Sequence, residues 1–158
     1  MNIREILPSD TGVAELIKQS DDYAAGLYPA ESNHMVAAGE LVVATGLFVG
    51  AFDGDVLVGM GAVRVLTDDM TYGEIKRVFV LPGYRGRGLS KLIMAALEDG
   101  LRRQGVRVCR LETGVRQPEA LHLYKALGFL ERGPYGAYAR DPLSIFMEKE
   151  VPVDLEGE

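Results

Sequence analysis

The sequence predicts an α+β fold on a single mixed β-sheet, and three observations carry that expectation. Three strand-like runs joined by turn signals follow one another between Leu47 and Leu81. From Leu89 the apolar spacing changes to the i, i+3, i+4, i+7 pattern of one helix face. Strand and helix then alternate toward the end of the chain. Hairpin-linked strands make an antiparallel meander and strand–helix–strand crossovers make parallel neighbours, so one sheet holding both is mixed.

Taken in order, Asn2 to Leu7 reads as a short strand. Pro8-Ser9-Asp10 offers a cap for a helix carrying Val13, Leu16 and Ile17. A second short helix is expected within Tyr28 to Ala38, entered through Pro29 and stopped by Gly39. Leu47 to Phe52 and Val56 to Leu66 form a hairpin, because Asp53-Gly54 supplies the positive φ of a tight turn. Thr71 to Leu81 is the third strand, ended by Pro82-Gly83. Leu89, Leu92, Ile93, Ala96, Leu97 and Leu101 mark the strongest helix, closed by Gly105. Val106 to Thr113 is a strand. Gln117-Pro118 opens a helix with Leu121, Tyr124 and Leu127, stopped by Gly128, and Phe129 to Arg132 and Ser144 to Glu150 finish as strands.

Residues 1–151 are expected to form one domain, with 152–158 as a short acidic tail, since 158 residues suit one core and no linker interrupts them. Seventeen basic residues against 23 acidic ones leave a formal charge of −6, which argues against nucleic acid as the main partner. The longest mostly apolar run, Leu41 to Phe52, is too short for a bilayer that needs about 20 residues. The lone Cys109 has no internal disulfide partner and no leader pattern opens the chain, so a cytoplasmic location is expected. Neither Cys109 nor the two histidines fall at metal-ligand spacing, so no metal is expected.

The chemistry concentrates at Val78-Phe79-Val80-Leu81-Pro82-Gly83-Tyr84-Arg85-Gly86-Arg87-Gly88-Leu89-Ser90, where a strand runs through a glycine loop into the strongest helix. Such a junction aims unpaired N–H groups and the positive end of the helix dipole at one point, which makes an anion site. Gly86 and Gly88 let a phosphate approach the main chain, and Arg85, Arg87 and Lys91 add local positive charge. No Lys-Ser or Lys-Thr follows at Walker spacing, and no G-x-G-x-x-G opens a parallel crossover.

Arg85, Gly88 and Ser90 match, with Ser for the usual Gly or Ala, the signature of the GNAT acetyltransferases, which this chain resembles from Phe48 through Leu123-Tyr124-Lys125-Ala126-Leu127-Gly128-Phe129. The resemblance implies a GNAT fold with helices on both sheet faces and acetyl-coenzyme A as cosubstrate. It implies that the backbone of Val78, Phe79 and Val80 pairs with the pantetheine arm. The N–H groups from Gly86 through Arg87, Gly88, Leu89, Ser90 and Lys91 would hold the pyrophosphate. Gln117 stands where the family commonly has an Asn contacting the cofactor; the alternative is a plain helix cap. An N–H near Val78 would stabilise the oxyanion.

An alkylamine must lose a proton before it attacks, so a base is expected. Glu74 matches the strand glutamate that serves in some members, and Glu112 the position used in others. Alternation sets Glu74 on the face of Lys76, Val78 and Val80 unless a bulge intervenes. Tyr124 stands where the family often has a phenol that protonates the departing thiolate; the alternative is a core tyrosine. Cys109 looks like an inert buried thiol, which favours direct transfer in a ternary complex. Tyr28 and His34 belong to the region that usually walls the acceptor pocket, and Tyr138 belongs to an aromatic segment able to close over it. Glu31-Ser32-x-His34, Leu111-Glu112-Thr113-Gly114 and Asp141-Pro142-x-Ser144 resemble a bacterial subgroup of acetyltransferases, some labelled as acting on indoleacetic acid, which has no basic amine. The expected reaction is acetylation of a small-molecule amine. A non-catalytic acetyl-coenzyme A sensor and a protein N-acetyltransferase are the alternatives, and a homodimer is left open.

Overall fold

The computed structural model describes residues 1–32 and 46–152. Its elements are β1 (Asn2–Glu5), α1 (Val13–Leu27), β2 (Leu47–Asp53), β3 (Val56–Leu66), β4 (Tyr72–Val80), α2 (Leu89–Arg103), β5 (Val108–Gly114), α3 (Pro118–Ala126), β6 (Leu130–Arg132) and β7 (Ser144–Glu150). The strands form one seven-stranded sheet in the order β1-β2-β3-β4-β5-β7-β6. Among the described residues only β4 and β5 pair in parallel; every other pair is antiparallel. The α+β expectation and the mixed sheet therefore hold.

Two details differ from the sequence reading. Helix α1 has Gly12 at its N-cap, in the left-handed region with φ 86°, and no side-chain cap. Asp10 is turned the other way, its carboxylate accepting the Leu7 N–H at 2.8 Å. Of the second short helix only a single 3-10 turn, Ala30–Ser32, lies within the described residues, and the remainder falls outside them.

Helices α2 and α3 cover one face, where Ile93, Met94, Leu97, Leu101 and Tyr124 pack with Val63, Ile75, Leu111 and Met147. Helix α1 covers the other face through Val13 and Leu16, against Phe48, Met60, Ala62 and Phe79. Beside that second core, Tyr135 from the loop before β7 packs on Tyr72 and Phe146. The glycines of β3 and β4 set how closely α2 can lie. A Cβ on Gly61 would stand 2.4 Å from Ile93, and one on Gly73 would stand 2.4 Å from Leu101.

A bulge in β4 decides which side chains reach the site. Met60 pairs with Phe79 but Ala62 pairs with Lys76, so two steps on β3 span three on β4. Arg77 takes up the extra residue with φ 62°. Its guanidinium is bonded to Asp21 of α1 at 2.5 Å, which fixes the bulge to the helix above it. Alternation is thereby reset. Glu74 and Lys76 share the α1 face with Phe79, whereas Val78 and Val80 turn to the α2 face. The common face expected for Glu74, Lys76, Val78 and Val80 is thus corrected by one inserted residue.

Gly73→Ala should cost about 1–3 kcal/mol, because the new methyl overpacks a fully buried Leu101 on an otherwise permissible backbone. Urea denaturation measures this directly, and an unchanged midpoint would show that Leu101 has room to turn aside.

Candidate active site

Parallel pairing of β4 with β5 runs Gly73↔Cys109, Glu74↔Arg110, Ile75↔Leu111 and goes no further. Beyond Ile75 the two strands part, and two cavities occupy the gap. The larger, about 680 Å³, lies between the end of β4, the start of α2 and α3. Val78, Phe79, Val80, Arg85, Gly86, Gly88, Leu89, Ser90, Lys91 and Gln117 all line it. Of the residues expected to hold a cofactor only Arg87 is not on its wall, and its guanidinium lies 5.0 Å over the Tyr84 ring.

The loop is built as an open cradle. Gly86 and Gly88 have φ 79° and 78°, and Gly88 is the uncapped N-cap of α2. A Cβ on Gly83, Gly86 or Gly88 would meet nothing within 4 Å. Free N–H groups at a helix start therefore face open space that side chains would fill, which is what a bound phosphate requires. Arg85 points back rather than out: its Nε donates to the Val80 carbonyl at 2.9 Å, and its guanidinium lies over Tyr23 and Phe79. It holds the loop onto the strand.

The smaller cavity, about 140 Å³, lies on the far side of Tyr23, Val78, Phe79, Gln117, Ala120 and Tyr124, which line both spaces. Tyr28, Lys76, Arg77, Glu112 and Thr113 complete much of its wall. Tyr124 is thus both core and wall. Its ring packs edge-to-face on Phe129 with centroids 5.8 Å apart. Burial raises its phenol above the ordinary value of 10.0, with Cys109 and Glu112 adding to the effect, so it keeps its proton at neutral pH. Burial likewise pushes the Cys109 thiol up, which leaves it a poor nucleophile.

The two carboxylates differ sharply. Glu112 lines the small cavity. Glu74, 1% exposed, is not on its wall. One of its oxygens accepts from Arg64 at 2.9 Å and the other from the Tyr135 and Tyr138 hydroxyls, each at 2.8 Å. Tyr138 also bonds the Lys76 ammonium. Tyr138, expected to close over an acceptor, is not on the wall of the smaller cavity: its ring packs on Tyr135 and Phe146, and its hydroxyl bonds Glu74 and Lys76. His34 lies outside the described residues.

Residues 6–129 match the model of the Acetyltransferase (GNAT) family. The chain is 42% identical over 142 residues to the IAA acetyltransferase of Azospirillum brasilense, covering 90% of this chain and 92% of that protein. The chain belongs to the GNAT acetyltransferase family. It is also 31% identical over 125 residues to the uncharacterized N-acetyltransferase YsnE of Bacillus subtilis, across 78% of this chain and 82% of that one. A Klebsiella pneumoniae crystal structure provisionally named an acyl-CoA N-acyltransferase superposes with a TM-score of 0.78 at 31% identity, over 95% of this chain and 97% of that one.

In this acetyltransferase Gln117 occupies the N-cap position of α3 without capping it; its side-chain oxygen accepts from the Tyr28 hydroxyl at 3.2 Å. The same hydroxyl accepts the Arg116 N–H at 3.0 Å, so Tyr28 is tied to the β5–α3 turn from 88 residues away. Lys76 and Arg77, two cations inside the β4 strand that carry no site expectation from the sequence, also line the smaller cavity. Among the described residues no cluster of three His, Cys, Asp or Glu side chains could hold a metal.

Gly114 explains why Tyr28 can enter. A Cβ there would lie 1.9 Å from the Tyr28 oxygen. If the smaller cavity takes the acceptor and the larger one acetyl-coenzyme A, Gly114→Ala should push the ring out of the wall and raise the acceptor KM about 10-fold, with acetyl-coenzyme A affinity changed less than 2-fold. Steady-state kinetics beside calorimetry would check this, and equal losses on both sides would count against the division of the two cavities.

Proposed function

We propose that acetyl-coenzyme A lies in the larger cavity and gives its acetyl group directly to the amine of a small molecule held in the smaller one. The observation that carries this reading is the shared wall: Val78 and Tyr124 border both cavities where β4 and β5 part. The glycine cradle suits the pyrophosphate, and the edge of β4 beyond Ile75 is released from β5, so its backbone at Val78, Phe79 and Val80 can pair with the two amides of pantetheine. A space of about 140 Å³ favours a compact acceptor over a folded protein surface. The name of the Azospirillum relative also favours a small molecule.

Glu112 is the base in this reading, directly or through one water, because it faces the cavity while Glu74 is engaged by Arg64 and two phenols behind it. An amine with a pKa of about 10.4 must give up a proton at a cost of about 4–5 kcal/mol at neutral pH. Glu112 takes the ammonium proton and passes it to solvent; the amine nitrogen then forms a bond to the thioester carbon and loses its second proton to Glu112. The oxyanion meets the N–H near Val78. The carbon–sulfur bond breaks, the Tyr124 phenol protonates the departing thiolate, and the products are an acetamide and coenzyme A. Tyr124 then regains a proton from solvent or from Glu112.

Glu112→Gln should lower kcat by about 10²-fold or more and remove that group's acid limb from the pH–rate profile, with acetyl-coenzyme A affinity nearly intact. Glu74→Gln should act mainly on the melting temperature, since it disturbs a buried, fully bonded carboxylate. Coenzyme A release against a panel of amines gives both rates; a folded Glu112→Gln variant with full activity would return the base role to Glu74.

Tyr124→Phe separates proton transfer from packing, because the ring can still lie against Phe129. Turnover should fall by about 10²-fold, the lower end for a positioned acid, since a thiolate with a pKa of about 8.5 is already a fair leaving group. Wild-type turnover in a folded variant would falsify the acid role and leave Tyr124 a core residue.

A further inference from the structure

Gln117 stands in the shared wall with no part in the reaction described above. It borders both cavities together with Val78 and Tyr124, at the place where the thioester must lie if the donor fills one space and the acceptor the other. Although it is the N-cap residue of α3, its side chain makes no capping bond and reaches Tyr28 instead.

A chain of hydrogen bonds fixes which end of its amide is left for a ligand. The Arg116 backbone N–H can only donate, and it donates to the Tyr28 hydroxyl oxygen at 3.0 Å. The Tyr28 proton is then committed to a second partner, Gln117 Oε1 at 3.2 Å. With Oε1 engaged, the two N–H donors of Nε2 lie on the other side of the amide. They are given to no group among the described residues. Nor are they sealed off: among the described residues the one buried side-chain polar atom without a partner is the Ser144 hydroxyl. The donors are therefore presented to the cavities that Gln117 lines.

Each link of the chain is held. Tyr28 seats over Gly114, where a Cβ would lie 1.9 Å from its oxygen. The Arg116 guanidinium bonds the Leu27 carbonyl at the end of α1, and the Gln117 N–H donates to the Gly114 carbonyl at 3.2 Å, which closes the turn. A donor fixed before the ligand arrives suits charge that appears only in the transition state, because little has to reorganise when it does.

We propose that the Gln117 side-chain amide donates to the thioester oxygen as a second donor beside the N–H near Val78, and that Tyr28 is the positioning residue that holds it so. The inference rests on the amine-transfer reading above and adds a catalytic group to it. As the amine nitrogen bonds to the thioester carbon, the carbonyl π pair moves onto oxygen, where both donors meet it. When the carbon–sulfur bond breaks, the pair returns to re-form the carbonyl, and Gln117 neither gains nor loses a proton. Tyr28, which lines the smaller cavity alone, thereby acts on the donor.

Three variants test this, each assayed for coenzyme A release with a panel of amines and for acetyl-coenzyme A binding by calorimetry. Gln117→Leu removes both donors and should lower kcat by about 10²-fold, the lower end for one lost oxyanion group, with acetyl-coenzyme A affinity changed less than about 3-fold. Gln117→Glu keeps an oxygen for Tyr28 but sets negative charge where the donors were, so it should lower kcat further. Tyr28→Phe keeps the ring and releases the amide; it should lower kcat about 10-fold alone but less than about 2-fold when added to Gln117→Leu. Equal losses in both backgrounds would overturn the positioning role of Tyr28. Retained kcat with lost acetyl-coenzyme A affinity in Gln117→Leu would make Gln117 an ordinary cofactor contact and overturn the inference, leaving amine transfer standing. Infrared spectra of bound, carbonyl-labelled acetyl-coenzyme A decide the matter with no acceptor present. The carbonyl band should lie lower in the wild type than in Gln117→Leu, or in Gln117→Glu should the first variant not fold, and one frequency throughout overturns the inference. Silence of the whole amine panel with acetyl-coenzyme A bound overturns the amine-transfer reading instead, and the infrared comparison still decides whether the amide meets the thioester.

Discussion

The parting of β4 from β5 after Ile75 and Leu111 is the constraint on which the rest of the molecule depends. Two parallel strands that stayed paired would leave no room for a ligand between them and no free backbone edge to receive one. The bulge at Arg77 accompanies the separation, and its positive φ would be an unfavourable place for an arginine without the tie to Asp21 on α1. The same inserted residue directs Val78 and Val80 toward α2 while Lys76 and Phe79 face α1. The irregularity thus lies where the cleft opens and an edge is freed, and it distributes side chains to the two faces of the sheet.

Behind the cleft the buried charges form a frame. Glu74 binds Arg64, Tyr135 and Tyr138, and those tyrosines pack with Tyr72 and Phe146. A carboxylate at 1% exposure is tolerable only when its lone pairs are met, and here each oxygen has two donors or an equivalent fork. Such a network contributes little net stability compared with a well-packed apolar core, but it fixes positions. What it fixes is the Tyr138 hydroxyl and, through it, the Lys76 ammonium at the cavity wall.

The strands, α2, α3 and the cradle were legible because each has a local cause: period-two runs, a 3.6-residue apolar face, and glycines whose positive φ the turn requires. The residues lining the larger cavity were legible for the same reason, since main chain within one short stretch supplies most of them. The acceptor side was not. Whether Glu74 or Glu112 meets the cavity depends on which phenols and which arginine reach Glu74 from 10 to 64 residues away. The β4 bulge has no sequence signal beyond the two cations it redirects. The start of α1 was misplaced for a simpler reason: Asp10 found a partner at Leu7 N–H, and a left-handed Gly12 took over the cap position.

The division of labour between backbone and side chain follows from the overall charge. At a formal −6 and a pI near 5.0, this acetyltransferase does not attract polyanions through its general field. A cradle made of N–H groups at the start of α2 solves that locally, because its partial charges are fixed, short-ranged and little affected by distant carboxylates. The acceptor side needs the opposite treatment. On the proposed reading a proton must be removed there and a small molecule selected, tasks suited to ionisable side chains such as Glu112, which lines a space of about 140 Å³. On that reading main chain would serve the part of the ligand that every reaction cycle shares, and side chains the part that distinguishes one acceptor from another.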